Sequence, residues 1–142
     1  MHKFSFRLEP VLKHREAREE KAALEQARAH EEYRRQYDNL CIARDKLNRA
    51  VQENCFASPV DIINQQIYCA YMIREIKKQE QVVDQSIKKF EQCRQKLVQA
   101  MQERSIMEKL KEKQFKAYNH AISIHEQKET DDLATRQCLH NR

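Results

Sequence analysis

Apolar side chains recur three and four residues apart along most of the chain, the spacing that lines one face of an α-helix. The first stripe passes through Leu8, Leu12, Arg15, Glu19, Ala22, Gln26, Ala29, Tyr33, Gln36, Leu40, Ala43, Leu47 and Ala50. Its polar members and many alanines make a leaky heptad with a thin seam, widened on one side by Val11, Ala23 and Val51. Ahead of it, Phe4, Phe6 and Leu8 alternate with Ser5 and Arg7, an extended apolar lead-in to a helix that starts near Pro10. The second stripe is stronger and runs through Ile62, Gln66, Cys69, Ile73, Ile76, Glu80, Val83, Ile87, Phe90, Arg94, Leu97 and Met101. After Met101 the phase slips, and a new stripe follows Met107, Leu110, Gln114, Ala117, Ala121 and Ile124. A stutter of this kind unwinds a supercoil locally.

Between the two stripes lies the convincing break, Glu53 to Asp61. Ser58 is a good N-cap, Pro59 suits the first helical position, and the charge of Asp61 favours the helix dipole. The residue before a proline is pushed out of the α region, so an arriving helix stops before Ser58. The expected chain is therefore one domain, 1–142, with helix one at about 8–54, a turn at 54–58 and helix two at about 59–133. Folding back buries both stripes, which makes the predicted fold all-α, an antiparallel two-helix coiled-coil hairpin with a longer, overhanging second helix. Pairing about that turn sets side by side residues whose numbers sum to about 113, and the helices measure roughly 70 and 110 Å. Beyond Met107 the second helix then has only Phe4, Phe6 and Leu8 near its base, and from Ala134 the periodicity is lost and the end frays.

Composition narrows the picture. Of 142 residues, 35% are charged and none is Gly or Trp, and mean hydropathy is −0.96, which excludes a thick core and fits a long helix or coiled coil. Interspersed charges of both signs and periodic apolar positions argue against disorder. The net charge of +5 reads as a solvated helix surface, and no basic motif with interleaved aromatics points to nucleic acid. No apolar run approaches the roughly 20 residues that span a bilayer, and Met1-His2-Lys3 does not lead into a signal sequence, so a cytosolic protein without membrane insertion is expected. Five cysteines without a CxxC read as reduced thiols. His120 and His125 are five apart, unlike the four-residue spacing of a zinc-binding helical pair. No catalytic constellation, cofactor loop or metal site emerges, and no enzyme is expected.

Two surfaces remain. Tyr33 lies on the first seam with Tyr37 beside it, while Tyr68, Tyr71 and Met72 lie outward of the second stripe. The pairing places Tyr37 level with Ile76 and Tyr33 with Glu80, so all five decorate one stretch of the hairpin end. They are either interface anchors or tyrosines lying flat over a thin seam. The overhang from Met107 to Ile124 carries Lys109, Lys111, Lys113 and Lys116 among Leu110, Phe115 and Tyr118. Glu108 and Glu112 on its polar face favour a protein partner over a membrane.

The run Phe4-x-Phe6-Arg7-Leu8-x-x-Val11-Leu12-x-x-Arg15, Leu110-Lys111-Glu112-Lys113, and Glu126-Gln127-Lys128-Glu129-x-Asp131-Asp132-Leu133-Ala134 together resemble the FliJ family of flagellar export proteins, essentially over the full length. The resemblance implies an antiparallel coiled coil that looks like the central stalk of rotary ATPases. It implies three partners: the hexameric flagellar export ATPase, the cytoplasmic domain of the export-gate membrane protein, and export chaperones of late substrates. Carried over, Phe4, Phe6, Leu8, Met107, Leu110, Lys111 and Lys113 would dock in the ATPase ring, and Tyr33, Tyr37, Tyr68, Tyr71 and Met72 would face the gate and chaperones. The location implied is the inner face of the cell membrane at the flagellar base. A structural coiled-coil spacer with no ATPase partner is the alternative; it has no need of an unpaired apolar stripe.

Overall fold

The computed structural model describes residues 3–53 and 58–140. Two α-helices, α1 (Glu9–Gln52) and α2 (Pro59–His140), pack against each other as an all-α hairpin. The turn expected at 54–58 lies outside the described residues except for Ser58. α1 starts where the Glu9 N–H donates to the Phe6 carbonyl at 3.0 Å and the Leu12 N–H to the Leu8 carbonyl at 3.0 Å. Pro10 then falls in the first turn, where its missing N–H costs nothing. At the start of α2 the Ser58 N–H donates to Asp61 Oδ2 at 2.9 Å, the return half of a capping box, and the Asp61 N–H donates to the Ser58 carbonyl at 3.1 Å. α2 continues past Leu133 to His140 although its stripe has faded. Near the end of α2 the Thr130 and Thr135 hydroxyls donate back to the carbonyls of Glu126 and Asp131 at 2.8 Å.

The chain divides into two compact units, one of Glu20–Gln99 and one of Met1–Glu19 with Ala100–Arg142. In the first, Leu40, Ile76 and Val83 form the core, with Tyr33, Ala43 and Leu47 packed against it. Gln79 Nε2 donates to Gln36 Oε1 at 2.8 Å and to the Gln36 carbonyl at 3.2 Å. Arg44 pairs with Glu80 at 2.7 Å, and Gln65 donates to the carbonyls of Ala50 and Glu53. His30 meets Phe90, with ring centroids 5.4 Å apart. Gln36 and His30 therefore find partners further along α2 than the sum of 113 places them.

The second unit is held by charge as much as by apolar contact. Phe6, Leu12 and Ala100 are buried, while Arg15 and Arg18 both reach Glu103, Arg18 at 3.0 Å. Glu19 Oε2 and Arg104 Nε are buried 2.5 Å apart, an ion pair out of hydrogen-bond alignment, and Arg104 also reaches Glu108 at 3.2 Å. The polar members of the α1 stripe at 15 and 19 are thus matched by ions on α2.

Every α1 stripe position from Leu8 to Ala50 is buried or half-buried, but α2 corrects the expected stripe. Its covered face is Gln65, Cys69, Met72, Ile76, Gln79, Val83, Ser86, Phe90, Cys93, Leu97, Ala100, Arg104 and Met107. Of the twelve expected positions from Ile62 to Met101, Cys69, Ile76, Val83, Phe90 and Leu97 are shared, and Ile62, Ile73, Ile87 and Met101 stay exposed. The reason is steric and polar together. Gln36 in the α1 stripe is satisfied by turning Gln79 into the seam, and Tyr33 of the same stripe stacks on Phe90. The stutter after Met101 also disappears, because Ala100, Arg104 and Met107 continue the spacing of three and four without a slip.

Candidate partner-binding surfaces

The lead-in is fastened rather than free. Phe4 sets its ring edge-on to Phe115 at 5.2 Å and tilted to Tyr118 at 5.4 Å, and Lys111 Nζ lies 5.9 Å from the Phe6 ring centroid. Phe6 is buried, so it is a core residue and not the exposed anchor that an apolar tip requires. Phe4, Leu8, Met107 and Leu110 are half-buried. Lys111 pairs with Glu9 at 2.7 Å, while Lys109 and Lys113 remain exposed. Covered positions on α2 extend to Tyr118 and Ile122, well past Met107, and from Ser123 to Leu139 every side chain is exposed. Ile124, Leu133 and Leu139 stand uncovered on that stretch.

The five residues expected at the hairpin end do not form one patch. Tyr33 stacks on Phe90 with centroids 6.5 Å apart and lies tilted against Tyr37 at 6.1 Å. Tyr68 lies 22 residues before Phe90, roughly 33 Å along α2. Tyr37, Tyr68 and Tyr71 are exposed, but Met72 is 8% exposed and faces α1. Its expected exposure is corrected by the rotation of α2 that brings Gln79 inward. What the sequence reading missed is the neighbouring line of Val60, Ile63, Ile67 and Tyr71, all exposed. The signal is their i, i+3, i+7, i+11 spacing, which runs on a face well round α2 from the stripe through Ile62, Ile73 and Ile87.

Elsewhere the surface is ionic. An open groove of about 570 Å³ between the helices carries Glu25, Glu32, Arg28, Lys89 and Lys96 around Cys93, charges of both signs. Gln36, then Arg35, hold the Glu32 carboxyl below its ordinary value, and Lys116 does the same for Glu112. Hydrogen bonds to Glu80 and Glu75 raise Arg44 and Lys78. Cys41, Cys69 and Cys93 are half-buried thiols and Cys138 is exposed; Cys55 lies outside the described residues. Among the described residues no cluster of three His, Cys, Asp or Glu gathers to hold a metal ion. No helix among them is long and apolar enough to cross a membrane.

Two long paired helices with apolar side chains left uncovered define an all-α helical hairpin protein. The family described as "Flagellar FliJ protein" matches residues 4–142, and the chain belongs to that family. It is a non-catalytic family tied to flagellar protein export at the flagellar base. Comparison with curated proteins and with solved structures found no match.

Proposed function

We propose that this protein is the coiled-coil stalk of a flagellar export apparatus, lodged in the hexameric export ATPase, where it promotes ring assembly and ATP hydrolysis. It links that ring to the export-gate membrane protein and to chaperones of late substrates, at the cytoplasmic face of the membrane, and motility and chemotaxis depend on it. The observation that carries the reading is the end of α2, where Ile124, Leu133 and Leu139 stand uncovered on a helix that continues far beyond its last covered residue, Ile122. A spacer has no use for such a stretch, whereas a stalk needs an unpaired helix to enter a ring. Leu110, half-buried among exposed Lys109 and Lys113, marks the collar of that stretch. Apolar anchors supply affinity, and the lysines assist orientation and association rate. The gate and chaperone contacts fall to exposed Tyr37, Tyr68 and Tyr71.

Purified export ATPase tests the reading. Ile124→Asp, at an exposed site, and Leu110→Asp should abolish stimulation of ATP hydrolysis and ring assembly while circular dichroism stays at the parent value. Tyr68→Ala with Tyr71→Ala should leave stimulation intact and weaken gate binding. Stimulation by the Ile124→Asp protein at the parent level, together with its loss in the tyrosine variant, would reverse the orientation. No stimulation by the parent chain would favour the spacer.

A further inference from the structure

α2 turns one face toward α1 through Gln65, Cys69, Met72 and Ile76. At 3.6 residues per turn, Val60, Ile63, Ile67 and Tyr71 fall on roughly the opposite face. All four are more than half exposed. Apolar side chains on both faces of a helix mark it for burial on both sides. The same stretch lacks charge: from Ile62 to Ile73 there is no Asp, Glu, Lys or Arg, in a chain 35% charged. Within Ile62–Ile73 no Lys or Arg is present to attract an anionic membrane surface, and Lys78 beyond it is paired with Glu75. The stripe's ends differ in sign. Asp61 stands at the start, and Arg74 continues the stripe at its far end, followed by Lys78, which pairs with Glu75 at 2.8 Å.

We infer that this face is a self-association surface, on which a second copy of this chain docks antiparallel across a two-fold axis near Ile67. In that register Ile67 meets its own counterpart, Ile63 meets Tyr71 of the second copy, and Arg74 approaches the acidic start of the other helix. A parallel pair sets Arg74 against Arg74 and Asp61 against Asp61, which like-charge repulsion disfavours. The two-fold arrangement uses one patch twice, the usual geometry of a homodimer. Four half-exposed side chains per copy cover on the order of 1,000 Å² in all, at the small end of specific interfaces. An interface of that size suits a weak, transient dimer. The inference is independent of whether the export gate also touches Tyr71.

Sedimentation equilibrium of the full-length chain, from about 10 μM to about 1 mM, tests it directly. The parent chain should shift from monomer to dimer over that range. Ile67→Asp should weaken association at least about tenfold, and Ile67→Ser should do so less. Ile106→Asp, at an equally exposed apolar site off the stripe, should leave it unchanged. With the five native cysteines changed to serine, Ile63→Cys mixed with Tyr71→Cys should form the mixed disulfide. Three results would overturn the inference: a monomer at every concentration, which leaves the face to another protein; equal loss from Ile106→Asp and Ile67→Asp; or a disulfide between two Ile63→Cys chains in preference to the mixed one.

Discussion

Neighbours Met72 and Ile73 separate two possible faces of α2, and truncating each to alanine measures which one the fold uses. Met72 is 8% exposed and Ile73 is 45% exposed. Each substitution removes about three methylene-sized groups at about 0.8 kcal/mol apiece when buried. Scaled by burial, Met72→Ala loses about 2.2 kcal/mol of transfer free energy, and the cavity it leaves in the seam brings the cost to about 2–3 kcal/mol. Ile73→Ala loses about 1.3 kcal/mol, and the better helix propensity of alanine returns a few tenths, so about 1 kcal/mol remains. Urea unfolding followed by circular dichroism at 222 nm reads the difference. With an m-value near 2 kcal/mol/M, the Met72→Ala midpoint should fall by about 1–1.5 M and that of Ile73→Ala by about 0.5 M, without a change in m. A larger loss from Ile73→Ala would place Ile73 in the seam, restore the stripe through Ile62, Ile73 and Ile87, and refute the rotation of α2 described above.

Phe6→Ala should cost about 3 kcal/mol or more, because the ring is 5% exposed, and should release Phe4 from Phe115, visible as faster hydrogen exchange at residues 3–12. Gln79→Leu leaves Gln36 Oε1 in the seam without its donor, while Gln36 Nε2 keeps Glu32, and should cost about 1–2 kcal/mol, whereas pairing it with Gln36→Leu should recover part of that stability, a non-additive cycle measured in the same urea titrations. Acid should loosen the fold in a defined window. Glu32 and Glu112 have carboxyls held below the ordinary glutamate value, so their contribution is complete above that value and lost as pH falls through the lower folded one. Melting temperature against pH should therefore drop less steeply below about 4.5 for Glu32→Gln than for the parent.

Much of this was legible in the sequence, for reasons particular residues make plain. The α1 stripe is unambiguous because Leu12, Leu40 and Leu47 have no apolar rivals one residue away on a competing face, except where Val11 and Ala23 widen it. Ser58, Pro59 and Asp61 carry the start of α2 through local backbone chemistry that needs no tertiary context. α2 was harder, since its segment before Arg74 is apolar nearly all round and hydrophobicity alone ranks Ile73 above Met72. The choice between them is made by partners on α1, Gln36 and Tyr33 above all, and a stripe read from one helix has no access to them. For the same reason the apparent slip after Met101 vanishes once Ala100 is recognised as the covered residue. At the other surface, Phe6 looked like a free apolar anchor because nothing in its own segment announces Lys111 and Glu9 closing over it.

Hydrogen–deuterium exchange of the full chain, alone and with a saturating amount of the hexameric export ATPase, tests the stalk reading most directly. The uncovered end of α2 exchanges fast when nothing packs on it, and a helix held within a ring does not. Strong protection across residues 107–139 is expected on adding the ATPase, with residues 60–76 unchanged. Protection confined to residues 60–76, with the end of α2 exchanging as fast as in the free protein, would contradict the stalk reading.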